Sequence, residues 1–138
     1  MRNKVNRIVI DTNLWISFLI SKKYEQLDLI ILSAKVKLIF SQELLNEFLE
    51  VVSRPKLRRF FNVDDIEQLI GSIEEFAEFV TVQSKINICR DYKDDFLLSL
   101  CVDGKVDYLL TGDKDLLELE RVNKTNIVTI SHFLNISK

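Results

Sequence analysis

Short runs of β-branched and aliphatic residues alternate with longer segments of helical periodicity along this sequence, and that alternation constrains the fold more than any other feature. Val5-Asn6-Arg7-Ile8-Val9-Ile10 is the first such run, and it stops at Asp11-Thr12-Asn13 in the manner of a buried strand opening into a loop. Lys37 to Phe40, Phe79 to Val82, Tyr108 to Thr111 and Ile127 to Ile130 read as further strands. Between them, helical spacing covers Leu14 to Leu19, Gln26 to Ala34, a segment capped by Ser41 that runs to about Ser53, a segment capped by Asp64 or Asp65, Asp91 to Val102, and Asp115 to Leu119. Such a chain is expected to be α/β, with a central parallel sheet of about five strands, helices on both faces and ligands at the carboxyl ends of the strands.

With three Gly, one Pro, no low-complexity linker and no internal repeat, residues 1–138 read as a single domain. A hydrophobic fraction of 47% beside 29% charged residues excludes a disordered chain. No apolar run approaches the roughly 20 residues that cross a bilayer, and Val5 to Ile10 is too short for an export signal, so the reading is cytoplasmic, with no membrane partner. Cys89 and Cys101 are then expected as reduced thiols. A net charge of −2 gives no global attraction for nucleic acid, so any such binding has to be local. Arg54, Lys56, Arg58 and Arg59 are the one basic cluster available. They either track a phosphate backbone beside Phe60 and Phe61 or form a solvated face over core aromatics. Trp15 is expected in the core.

The chemistry lies in the acids. Asp11 ends the first strand, Asp113 follows the fourth, Asp94 stands in the first turn of the helix leading into that strand, and Glu47 comes from the helix after the second strand. In a parallel sheet these four side chains can converge on one edge, the inference on which the rest depends. Carboxylates so gathered repel one another and call for a cation, and an oxygen-only donor set selects a hard ion, Mg2+ or Mn2+. Such an ion activates water for phosphodiester hydrolysis without a side-chain nucleophile. His132, the only histidine, reads as a surface or capping residue, so a Ser/His/Asp or Cys/His arrangement has little support. Asp91 reads as an N-cap, Asp95 as an accessory ligand or a solvated acid, and Asp115 as a cap or a further ligand. Asp94 and Asp95 lie about 100° apart on a helix and cannot both point fully into one site. Asn13 and Thr111 are candidates to orient the acids.

Taken together, these motifs resemble the PIN (PilT N-terminus) domain family, in the branch of toxin components of bacterial toxin–antitoxin systems. The likeness spans nearly the whole chain. It rests on Ile8-Val9-Ile10-Asp11-Thr12-Asn13, on Ser41 through Glu43-Leu44 to Glu47 with Arg54-Pro55-Lys56, and on Cys89-Arg90-Asp91 with Asp94 and Leu98. Its most specific stretch is Asp107-Tyr108-Leu109-Leu110-Thr111-Gly112-Asp113-Lys114-Asp115-Leu116-Leu117. The resemblance implies a Rossmann-like sheet, a Mg2+ or Mn2+ site at Asp11, Glu47, Asp94 and Asp113, cleavage of single-stranded RNA, an antitoxin protein as partner and a homodimer. It favours Asp94 over Asp95, because Leu98 and Cys101 then fall where the family has apolar and small residues. Tyr92 stands where Pro is frequent and Cys101 where Ala is usual.

A phosphatase with an aspartyl nucleophile also opens on a strand ending in Asp, but it needs a second Asp where this chain has Asn13. A phospho-receiver domain lacks its closing Lys at Thr129 to Ser131. The remaining alternative is a non-catalytic module of the same fold that binds a protein, its acids serving as helix caps.

Overall fold

The computed structural model describes residues 5–21 and 35–136, so the helix expected over Gln26 to Ala34 lies outside the described residues. The elements are β1 (Asn6–Ile10), α1 (Thr12–Ser21), β2 (Val36–Phe40), α2 (Gln42–Val52), α3 (Val63–Phe76), β3 (Glu78–Phe79), α4 (Tyr92–Asp103), β4 (Tyr108–Leu110), α5 (Lys114–Leu119), β5 (Arg121–Val122), β6 (Thr125–Val128) and α6 (Ile130–Ile136). They form one six-stranded sheet in the order β3-β2-β1-β4-β6-β5. Five strands run parallel, as expected, and β5 is added antiparallel at one edge.

Consecutive residues are buried along the central strands: Ile8, Val9 and Ile10 in β1, Leu38, Ile39 and Phe40 in β2, Leu109 and Leu110 in β4. Since neighbouring side chains on a strand face opposite ways, both faces of the sheet are covered. Trp15 is 1% exposed and packs on Phe40 and Phe48, at ring-centroid distances of 5.9 and 6.3 Å, which joins α1, β2 and α2 in one aromatic cluster. Burying three such rings contributes several kcal/mol, roughly 1.5–3 for each.

Three expectations are corrected. The third strand is only Glu78–Phe79, after which Val80 makes one further bond, from its N–H to the Phe40 carbonyl. The cap of α3 is Asn62, not Asp64 or Asp65; Asn62 accepts from the Asp65 N–H at 2.8 Å and Asp65 completes a capping box. The last strand ends at Val128, because Thr129 turns the chain into α6: its Oγ1 accepts from the His132 N–H and its carbonyl from the Phe133 N–H.

Helix α4, which carries Asp94, is fixed along one side by the extended segment 83–89. Asp95, Ser99 and Asp103 recur every four residues and so share a face of the helix. Asp103 accepts from the N–H groups of Gln83 and Ser84 and from the Ser84 hydroxyl, Ser99 Oγ from the Ile86 N–H at 3.0 Å, and Asp95 Oδ1 from the Ile88 and Cys89 N–H groups at 2.9 and 2.8 Å. A chain with no strand partner on that side thereby satisfies its donors on side chains. At the other end of α4, Gly104 packs so closely that a Cβ there would meet Ile39 Cγ2 at 2.9 Å and the Leu100 carbonyl at 3.0 Å. Gly104→Ala is therefore expected to lower stability by about 1–3 kcal/mol through overpacking against a branched core side chain, read as a fall in the midpoint of urea unfolding with unchanged slope.

Candidate active site

The strand order reverses between β1 and β4, and at that point a parallel sheet opens a crevice beyond its strand ends. Asp11 and Asp113 follow these two strands. The Asp11 N–H continues the ladder by donating to the Leu110 carbonyl at 3.0 Å, which sets the first acid directly beside β4. Thr111, 1% exposed, ties the two acids together: its hydroxyl donates to Asp11 Oδ2 at 2.8 Å and accepts from the Asp113 N–H at 3.0 Å. Asp11 Oδ1 accepts from the Asn13 backbone N–H at 3.2 Å, so the contact Asn13 makes with this acid runs through its main chain. Asp113 caps α5, its Oδ1 accepting from the Asp115 N–H at 2.8 Å.

The other two acids arrive on helices. Ser41, fully buried, caps α2 through the Leu44 N–H, and the burial of Leu44, Leu45, Phe48 and Val52 leaves Glu47 on the half-exposed side. Asp91 caps α4 through the Lys93 N–H, as read from sequence, and places Asp94 in the first turn. Asp11, Glu47, Asp94 and Asp113 all line one cleft of about 90 Å3, with Thr12, Asn13, Leu44 and Phe96 among the other walls. A space that small suits a hydrated ion rather than an organic ligand, which occupies roughly 300 Å3 or more.

The field in the cleft is negative. Burial, and then the charges of Asp113, Asp91 and Asp11, push the Asp94 carboxyl up to about 6. Asp11 is raised by burial and by Asp113, against the opposing hydrogen bonds from Thr111 and Asn13. Glu47 is raised by burial and by Asp11 and Asp91, against the pull of Lys93. Among the described residues no group of three or more acidic, histidine or cysteine side chains is already arranged to hold a metal ion. The oxygen-only donors, the raised proton affinity of Asp11, Glu47 and Asp94 and the size of the cleft nevertheless fit a small hard cation, whose charge would favour the ionised carboxylates.

Asp95 and Asp115 do not line the cleft. Asp95 is neither solvated nor turned to the site: it is 8% exposed, and the Cys89 and Ile88 N–H groups hold its carboxyl below the usual range. Asp115 faces Arg90, at 3.1 Å. The basic cluster is likewise elsewhere. Arg54 pairs with Glu50, Arg58 donates to the Ser53 carbonyl, and neither these two nor Lys56 and Arg59 line the cleft. Two charged residues went unrecognised as cleft residues in the sequence, Asp91 and Lys93. Their signal was position: both share the first turn of α4 with Asp94, and a turn at the sheet's carboxyl edge presents more than one side chain to it.

Adjacent acids should thus respond oppositely to neutralisation. An aspartate whose pKa rises on folding binds its proton more tightly in the native protein, so stability is fully present in acid and declines as pH climbs from the unfolded value near 4 through about 6. In chelator at pH 7.5, Asp94→Asn is expected to stabilise by about 1 kcal/mol, allowing for solvent screening of a partly exposed group, with the gain vanishing below pH 4. Asp95→Ala is expected to cost about 1–3 kcal/mol because two backbone donors lose their acceptor. Thermal melts of both variants across pH check the pair.

A scan against family models matches residues 7–115 to the PIN domain. A search of curated proteins finds no significant match. PIN domains are typically metal-dependent nucleases that act on nucleic acid. With the mostly parallel sheet, the acids at its carboxyl edge and a family match over most of its length, the chain belongs to the PIN-domain family.

Proposed function

We propose that this chain is an endoribonuclease that hydrolyses phosphodiester bonds of single-stranded RNA with Mg2+ or Mn2+, and that it serves as the toxin of a toxin–antitoxin module. The observation that carries this reading is the meeting of Asp11, Glu47, Asp94 and Asp113, drawn from four separate parts of the sequence, in one small cleft that raises the proton affinity of three of them. The four carboxylates would hold the cation. When bound, it supplies Lewis-acid charge to the phosphate and brings the pKa of water toward neutrality. Thr111 fixes the direction of Asp11, and the Asn13 N–H holds its second oxygen, so this acid would hold a cation without first reorganising. Lys93 is placed to balance charge at Glu47. The toxin role, an antitoxin partner and a homodimeric state are supported by the likeness of the ordered motifs to toxin components.

Millimolar Mn2+ is expected to raise the melting temperature, since a ligand that selects the native state stabilises it by RT ln(1 + [L]/Kd). Trp15, the only tryptophan, stands one helical turn from Asp11 and gives a second readout through quenching by the paramagnetic ion. Asp11→Asn is expected to keep the fold, lose the Mn2+ shift and cut a fluorescent single-stranded RNA at least about 100-fold more slowly, because even outer-sphere partners of a metal ligand cost up to that much. No Mn2+ shift together with no cleavage by the unaltered chain would leave the non-catalytic, protein-binding module as the better reading.

A further inference from the structure

A chain of net charge −2 has to hold a polyanion over a cleft lined with carboxylates. Phosphate backbones are ordinarily held by neutralising lysines and arginines, and here none of the four basic residues at 54–59 lines the cleft, three of them having partners elsewhere: Arg54 with Glu50, Arg58 with a main-chain carbonyl, Arg59 at 4.9 Å over the Phe60 ring. Two consecutive residues in the first turn of α4 supply what the site lacks. Lys93 is the only basic side chain among the described residues that line the cleft, which it shares with Glu47 and Asp94. Tyr92 precedes it, between two cleft residues, and at 77% it is the most exposed large hydrophobic side chain among the described residues.

An aromatic ring left in water beside a hydrolytic cleft offers a face on which a base can stack, and stacking attracts nucleic acid without positive charge. We propose that Tyr92 and Lys93 form the substrate rim of the cleft: the Tyr92 ring stacks on an unpaired base next to the scissile linkage, and the Lys93 ammonium takes a neighbouring phosphate oxygen. This rests on the nuclease reading and gives it a source of strand selectivity, because bases in a duplex are stacked on one another and closed to a protein ring. Lys93 and Tyr92 are about 100° apart around the helix, so one residue lines the cleft while the other flanks it.

Steady-state cleavage of fluorescent RNA with Mn2+ tests the rim in the full chain. Tyr92→Ala is expected to raise KM about tenfold with little change in kcat and no change in melting temperature, and Tyr92→Phe to recover most of the loss. In a series of oligonucleotides each carrying one abasic site, one position should cost the unaltered protein about tenfold and cost Tyr92→Ala nothing, a coupling that a purely structural role would not produce. Lys93→Ala should lower the slope of log affinity against log salt by about 0.7. An unchanged KM in Tyr92→Ala overturns the rim while leaving the nuclease reading intact; duplex RNA cut as well as single strands overturns the rim together with the single-strand preference and leaves only metal-dependent cleavage standing. An unaltered chain that cuts no nucleic acid overturns both.

Discussion

The parallel pairing of β1 with β4 is the constraint on which the rest of the site depends. It sets Ile10 opposite Leu110, carries the ladder one bond further to Asp11, and so brings an acid from the start of the chain against the Thr111-Gly112-Asp113 turn a hundred residues later. The Thr111 hydroxyl then acts in both directions, donating to one acid and accepting from the backbone of the other. Helices α1, α2 and α4 all begin at this edge, with Thr12, Leu44 and Asp91 among the cleft walls. The partial positive charge of helix N-termini offsets part of the negative charge collected there. Burial first, and the neighbouring carboxylates after it, leave proton affinity raised at Asp94, Asp11 and Glu47, and in a PIN domain a divalent cation would favour their ionised forms.

Asp94 and Asp95 show how one residue of helical rotation separates two kinds of work. Asp94 faces the cleft, where burial and other carboxylates oppose its charge. Asp95 faces the segment 83–89, where two N–H groups welcome its charge. Asp95, Ser99 and Asp103 together fix the rotation of α4 about its axis, and that rotation decides which acid reaches the cleft. Asp94 is therefore held in place by a polar seam on another face of its own helix, whose residues do not line the cleft.

Much of this could be read from the residues alone. Strand periodicity and abrupt ends placed Asp11 and Asp113; Ser41 and Asp91 marked helix starts because a short polar side chain at such a break has one obvious use. The failures have equally local causes. Ile127-Val128-Thr129-Ile130 is β-branched throughout, but the bonds of Thr129 to the next turn end the strand two residues early. The two-residue β5 is defined by its pairing with β6 and carries no pattern of its own. The dense basic run at 54–59 could be offered from sequence as an RNA contact or a solvated face because charge is visible there, whereas the one lysine among the described residues that line the cleft is visible only once α4 is oriented. Adjacent acids could be separated by helical geometry, but which of them faced the cleft came from likeness to a family until the partners of Asp95 were known.

The most direct test of the central claim is a crystal of this protein soaked in Mn2+ and measured for anomalous scattering. The account requires a peak in the cleft among Asp11, Glu47, Asp94 and Asp113, with carboxylate oxygens at the ~2.0–2.2 Å expected of a hard divalent ion in an oxygen site. A cleft with no peak at millimolar Mn2+, its carboxylates turned apart, would contradict it.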